Sequence, residues 1–405
     1  MNRRQFMVGI SALGLSSVAL GAYKLWPESG LINPCLTGMP DHLSNHLLMK
    51  KIWAGINPAN VWDGHVHLIG VGDSGSGVWF NPNMDSLLHP ILKIQKTFYM
   101  HGGCVDAQQV DKSYVDRLVA LMSEMPNGCK AMLFAFDWFH DSQGNIDRNQ
   151  SIFHIPNTYA AQVAKEYSQY FEWVASIHPY RVDAVDALEK AHAEGARAIK
   201  WLPSGMGIDT ASEKCDAFYR AASRLRIPII SHTGAESAVQ GGDQSYGNPL
   251  KIRRALDAGV QVVLAHCASD GYDNDLDNGG KKVRSLELFV RLMNDPRYKE
   301  LLYGEISAIT LINHAAAIPT ILENSDWLDR LTNGSDYPLP AILPLISVTK
   351  LASMGLLDET ALPFLKELHS YHPLMFDFAV KRLIQWNGKS FPSKVFETRS
   401  VFQKI

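Results

Sequence analysis

The chain has 405 residues, enough for one large barrel or two medium domains. Its 38 Lys and Arg against 41 Asp and Glu leave a net charge of −3, which gives no electrostatic case for nucleic acid or an acidic polymer as partner. Hydrophobic residues make up 46%, a globular composition, and the five scattered Cys form no C-x-x-C pair, so neither a disulfide scaffold nor a Cys-built zinc site is expected.

The chain opens with Arg3-Arg4-Gln5-Phe6, and an uncharged stretch rich in Gly, Ala, Ser and Leu runs from Phe6 to Ala22. A basic start before a modest apolar run is the pattern of a secretory signal. The paired arginines resemble a twin-arginine signal, which implies the twin-arginine export machinery as a partner and a periplasmic or exported location. The stretch is short and only mildly hydrophobic for a membrane-spanning helix. Left uncleaved, it serves as an inner-membrane anchor, the one membrane contact expected. Residues 1–22 are therefore read as signal or anchor, 23–60 as a lead-in with one helix over Asp41–Ile52, and 61–405 as a single domain with C-terminal helices. One disulfide is compatible with an oxidising compartment; the sequence does not pair the cysteines, and the odd count leaves at least one thiol over.

From Val61 onward, β-branched and apolar runs alternate with amphipathic ones, the pattern of βα units around a parallel sheet. The strand-like runs are Val61–Ile69, Cys129–Asp137, Phe171–His178, Ala196–Leu202, Pro228–Gly234, Val260–Ala268, Leu302–Thr310 and Leu331–Pro338. Helical periodicity falls on Ser113–Met125, Asn157–Ser168, Val182–Glu194, Ser212–Leu225, Pro249–Ala258, Ser285–Asn294 and Ile312–Glu323, with Ala341–Met354 after the last strand. Eight strands, each followed by a helix, predict an α/β fold of the (β/α)8 TIM barrel type. Two connections are long, Gly70–Lys112 and Ser269–Arg284, and long βα loops belong over the active-site mouth. Asp273, Asp275 and Asp277 resemble the start of a calcium loop, but Asn278 and Arg284 stand where that loop needs Gly and Glu, so a solvated acidic loop is expected.

The first strand ends in His65-Val66-His67. Residues i and i+2 of a strand share a side, so two imidazoles face one point, and imidazole is a ligand for zinc and its neighbours. Later strand ends supply Lys200, His232, His266 and Asp336. Singly each has a structural explanation, such as a snorkelling lysine, a satisfied core histidine or a turn aspartate. In a barrel all six converge on one mouth. Glu305 is a candidate to orient a ligand histidine or form an ion pair, His178 a candidate for the mouth, and Trp201 and His101 candidates for its wall, while Arg197 points toward the helices.

The order H-x-H, Lys, His, His, Asp resembles the amidohydrolase superfamily of metal-dependent hydrolases over about Val61 to Pro338. The ending from His372 through Phe396 resembles the branch that includes amidohydrolase-type decarboxylases. The resemblance implies that His65, His67 and Asp336 bind the more buried divalent metal, with zinc the default. His232 and His266 would bind an outer one and Lys200, if carboxylated, would bridge them. In the single-metal version His65, His67, His232 and Asp336 are the ligands and His266 is the acid/base. Asp336 takes the proton of the attacking water. The leading expectation is a metal-dependent hydrolase that cleaves an amide, ester or lactone of a small substrate with metal-activated water. The alternative is a metal-dependent decarboxylase of an aromatic or unsaturated acid. A Schiff-base aldolase using Lys200 leaves His65 and His67 unexplained, and a non-catalytic binding barrel leaves the whole ligand set unexplained.

Overall fold

A computed structural model describes residues 32–236, 239 and 242–403; the signal expected over residues 1–22 lies outside them. All eight expected strands form, each shorter than its apolar run: β1 Trp62–His67, β2 Lys130–Phe134, β3 Phe171–Val174, β4 Ile199–Trp201, β5 Ile229–His232, β6 Val262–Ala265, β7 Leu302–Glu305 and β8 Leu331–Thr332. Neighbours pair in parallel as β1–β2–β3 and as β4 through β8. Single parallel bridges, Ala175 to Ile199 and Val66 to Tyr337, join the two edges and close the (β/α)8 TIM barrel. Trp62, Met132, Val174, Ile230, Val263 and Phe402 fill its interior, and the outer strand faces bury a larger apolar layer against the helices. Among the described residues, no helix is long and apolar enough to cross a membrane.

The helices lie near their expected positions, and most differences in their bounds trace to caps and prolines. The helix expected over Asp41–Ile52 splits into Asp41–Ser44 and Leu47–Trp53, because His46 is extended and its Nδ1 caps Leu48 N–H at 3.1 Å. The periodicity of Ile312–Glu323 yields an α-helix only over Ile318–Glu323, where Pro319 occupies the first turn. Ala341–Met354 contracts to Val348–Ser353, behind Pro344 and capped by Ser347. Gly70–Lys112 is not all loop: Pro90 starts a 13-residue helix, Pro90–Gly102. A disulfide from Cys104 to Cys35 ties the end of that helix to the lead-in, while Cys129, Cys215 and Cys267 are free and buried. Closing 69 residues of chain restricts the unfolded state by roughly 4 kcal/mol on the entropy model. Cys104→Ser is therefore expected to lower the denaturation midpoint, and reductant should lower the parent to the same value while leaving the variant unchanged.

The acidic stretch is solvated only in part: Asp273 and Asp275 are buried, Asp277 is exposed, and all three carboxylates are taken up by side chains of the protein. Tyr272–Asp275 pairs antiparallel with Lys281–Arg284. Ser285 Oγ donates to Asp273 at 2.7 Å, both terminal nitrogens of Arg291 donate to Asp275 at 2.6 Å, and Arg253 grips Asp277 at 2.6 and 2.8 Å. The Arg253 hydrogen bonds hold the Asp277 carboxyl at about 2, and Arg291 holds Asp275 below the usual carboxylate range. Carboxyls lowered in the folded state stabilise it above the ordinary carboxylate pKa, and that contribution fades as pH falls through the folded value. Arg291→Ala should thus lower the urea midpoint at pH 7, with the gap to the parent closing as pH falls from about 4 toward 2.

Candidate metal centre

The two histidines of β1 face the mouth only because of a local irregularity. Trp62 faces the barrel interior, and plain alternation would turn His65 and His67 away from it. The pairing with β2 shifts register between Asp63 and Val66, and this bulge re-aims both imidazoles into the mouth. Tyr114 from the helix Val110–Ser123 donates its hydroxyl to the His67 carbonyl at 2.5 Å and pins the strand end. Asp336 follows β8 with φ 63°, a left-handed conformation that costs a non-glycine residue roughly 1–3 kcal/mol, and its N–H is held by the His65 carbonyl at 2.8 Å. Gly334 permits that approach, since a Cβ there would stand 2.5 Å from the His65 Cβ.

The six expected side chains meet. His67 Nε2 lies 3.0 Å and His65 Nε2 3.3 Å from Asp336 Oδ1, and ligand atoms of these three residues all fall within 4.8 Å of one another. Lys200, turned inward on β4, places Nζ 3.2 Å from His65 Nε2. His266 Nε2 lies 3.8 Å from Asp336 Oδ2, and its ring centre is 5.0 Å from that of His232. His232 Nε2 is buried with no hydrogen-bond partner. His266 also stands in the left-handed region, followed by Cys267 and Ala268 in the same conformation, which turns the chain sharply off β6.

A carboxylate behind the ligands sets two of the tautomers. Glu305, at the end of β7 and fully buried, accepts from His65 Nδ1 at 2.6 Å. Ser307 Oγ donates to the same Glu305 oxygen at 2.5 Å, and His266 Nδ1 lies 3.2 Å from the Ser307 carbonyl. Carboxylate and carbonyl only accept, so both rings carry the proton on Nδ1 and present a bare Nε2 to the mouth. Burial, with Lys200 nearby, holds His232 down at about 3, and burial likewise lowers His65 and His266. Burial pushes the Asp336 carboxyl up, but the His65 and His266 rings and the hydrogen bond from His67 outweigh it and hold it well below the carboxylate range. Burial lowers Lys200, against the pull of the Glu305, Asp336 and Glu236 carboxylates.

Neutral imidazoles, an ionised carboxylate and an orphaned buried Nε2 are the donor set a divalent metal requires, so the residues fit such an ion. The wall differs from expectation. Trp201 packs on Phe218 and Tyr219 behind the barrel, because the alternation that turns Lys200 inward turns its neighbour outward. His178 is buried against His140, with Nε2 on the Met206 carbonyl, and His101 is exposed at the end of its helix; neither lines the mouth. Arg197 pairs with Glu172 at 2.8 Å, a structural role. The mouth is walled instead by Phe80, Tyr99, Phe136 and Phe153, with Glu236 Oε2 3.3 Å from His232 Nδ1. Phe80 and Phe153 belong to a short antiparallel pair, Trp79–Phe80 with Phe153–His154, which ties the loops after β1 and β2 together. Glu236 lies beyond a strand end, where no periodicity marks a residue as inward-facing, whereas Ser307 follows Glu305 by two and shares its side in the expected run Leu302–Thr310.

A closed barrel with this donor set at the C-terminal ends of its strands defines a metal-dependent enzyme acting on a small substrate. Residues 126–341, just over half of the chain, match the amidohydrolase family model, and the chain belongs to that family. No curated protein matches it in sequence. Among solved structures it is similar to 5-carboxyvanillate decarboxylase from Sphingomonas paucimobilis, at 11% identity and TM-score 0.48 over 85% of this chain and 98% of that one. An uncharacterized TIM-barrel protein from Bordetella bronchiseptica aligns at 17% identity and TM-score 0.47 over 78% and 99%. A 2,6-dihydroxybenzoate decarboxylase from Rhizobium aligns at 11% identity and TM-score 0.37 over 78% and 97%.

Proposed function

We propose that the protein is a metal-dependent hydrolase of a small amide, ester or lactone. The observation that carries this reading is the pairing of an ionised Asp336 carboxylate with a bare His266 Nε2 3.8 Å away, beside the ligand cluster. His65, His67, His232 and Asp336 hold the ion, zinc being the default for such donors. When bound, it supplies Lewis acidity that makes water a nucleophile at neutral pH and polarises a carbonyl. Asp336 Oδ2 takes the proton of the attacking water and hands it to the bare His266 Nε2, which passes it to the leaving group, while the His266 Nδ1–H remains on the Ser307 carbonyl. Phe80, Phe136 and Phe153 exclude water and hold the apolar part of the substrate.

Lys200 fits a one-ion site better than a bridge. Its Nζ lies at hydrogen-bond distance from His65 Nε2, the contact of an unmodified amine with a bare imidazole nitrogen. Elemental analysis is expected to give about one metal per chain, unchanged in Lys200→Ala; two per chain, falling to one in that variant, would restore the carboxylated bridge. The one-ion site also favours a second reading, decarboxylation of an aromatic or unsaturated acid. The two separate in H₂¹⁸O. Hydrolysis places the label in the product carboxylate, whereas release of CO₂ with no label gained by the remaining product overturns the first reading in favour of the second. Export to the periplasm is part of the same proposal, supported by the Cys35–Cys104 disulfide, since such bonds persist in oxidising compartments. Fractionation of cells carrying Arg3→Lys with Arg4→Lys tests it: the variant should stay in the cytoplasm.

A further inference from the structure

The centre opens on two sides. One cavity spreads toward the β1–β4 side and is lined by Leu68, Ile69, Phe80, Phe136, Phe153 and Leu202. A second, roomier one spreads toward the β6–β8 side between Phe98, Ala308, Leu311, His314, Ile342 and Leu345. Tyr99, His232, Glu236, His266, Asp336 and Leu339 line both, so the two lobes meet at the proposed reacting centre. Among the described residues neither lobe is lined by an arginine, and the one lysine, Lys200, sits at the centre. A carboxylate carried out into either lobe would therefore be desolvated without a cation to pair it.

We infer that the substrate is an uncharged ester or amide with an apolar group on each side of the scissile bond, one group in each lobe. This rests on the hydrolase reading and narrows it. Water adds its oxygen to the carbonyl carbon, the acyl C–O or C–N bond breaks, and the leaving oxygen or nitrogen takes the proton, giving a carboxylic acid and an alcohol or amine. Both halves need space during that step, one on each side of the carbonyl. Loss of CO₂ from an aromatic acid needs one lobe, and a small lactone keeps both halves in one ring. A centre set between two apolar lobes matches the two-part substrate.

The test uses charged centres with apolar arms, which do not depend on turnover. Benzyl benzylphosphonate, methyl benzylphosphonate and benzyl methylphosphonate are titrated calorimetrically into the metal-replete protein. The two-armed compound is expected to bind at least tenfold more tightly than either one-armed compound. Phe153→Ala should erase the gain from one arm, and Leu345→Ala the gain from the other; Phe153→Leu and Leu345→Val serve as milder versions should an alanine variant fold poorly. A one-armed compound that binds as tightly as the two-armed one, or a single variant that erases both gains, overturns the inference. The expected binding pattern with no turnover of benzyl phenylacetate or N-benzyl phenylacetamide supports the two-lobed site and overturns the hydrolase reading instead.

Discussion

His67→Ala protein is expected to emerge from purification nearly metal-free, with kcat/KM reduced by about 10³-fold or more. The loss follows from what the side chain supplies. His67 Nε2 is one of three ligand atoms clustered within 4.8 Å, and removing it leaves His65 and Asp336 to hold an ion with His232. Loss of a partner behind the ligands already costs about 10–100-fold in metal affinity, so loss of a ligand costs more. The several kcal/mol of transition-state stabilisation that a metal supplies converts, at 1.36 kcal/mol per tenfold, to roughly 10³. The fold should survive. The His67 side chain is 25% exposed, the least buried of the set, and its backbone carbonyl keeps the Tyr114 hydroxyl. Metal content and thermal midpoint measured on the same sample therefore separate the outcomes. A metal-poor, folded, inactive protein supports the site. Undiminished metal content in an inactive protein would move the ion elsewhere in the mouth.

The barrel and the six converging side chains were legible because both depend on short-range signals. Apolar β-branched runs mark strands whatever the tertiary context, and a polar residue ending such a run stands out at the mouth, as Lys200, His232 and His266 do. The histidine pair of β1 was legible as a pair, but its direction was not: parity counted from Trp62 points it outward, and only the bulge against β2 turns it in. Trp201 shows the opposite case, since alternation from Lys200 already places it behind the sheet, and reading it as pocket wall ignored that constraint. The helix Pro90–Gly102 was hidden because its apolar residues mark no buried stripe; Ile91 and Ile94 are 58% and 54% exposed. Cys35 and Cys104 are joined across 69 residues, a pairing that tertiary structure alone decides. Of the partners behind the ligands, Glu236 sits in a loop where neither the strand nor the helix period applies, whereas Ser307 falls inside the expected strand run on the side of Glu305 and only its side chain's partners were hidden.

Glu305→Gln is the sharper test of how the ligands are held, because it leaves every proposed ligand in place. Glu305 has one oxygen shared by His65 Nδ1 at 2.6 Å and Ser307 Oγ at 2.5 Å, in a site with no solvent exposure. An amide of the same shape has one accepting oxygen and one donating nitrogen. With its oxygen in the shared position the amide still accepts from both, as a weaker, uncharged acceptor, and its NH₂ takes the place of the unpartnered second oxygen; if the amide flips, two donors meet at His65. The first orientation weakens the acceptor that fixes the His65 tautomer and the second removes it, and Ser307 also carries His266 through its hydroxyl at 2.9 Å. Metal affinity, measured by chelator competition, should fall by about 10–100-fold. With saturating metal restored, kcat should stay low if His266 has lost its orientation. Glu305→Ala goes further, leaving His65 Nδ1 and Ser307 Oγ unpaired beside a void, and should destabilise the fold by about 2–4 kcal/mol. The glutamine variant then separates positioning from stability: it should keep the parent's metal-free midpoint. Parent-like metal affinity and kcat in Glu305→Gln would mean that shape alone holds the ring, and that the carboxylate beneath β1 serves only to satisfy buried donors.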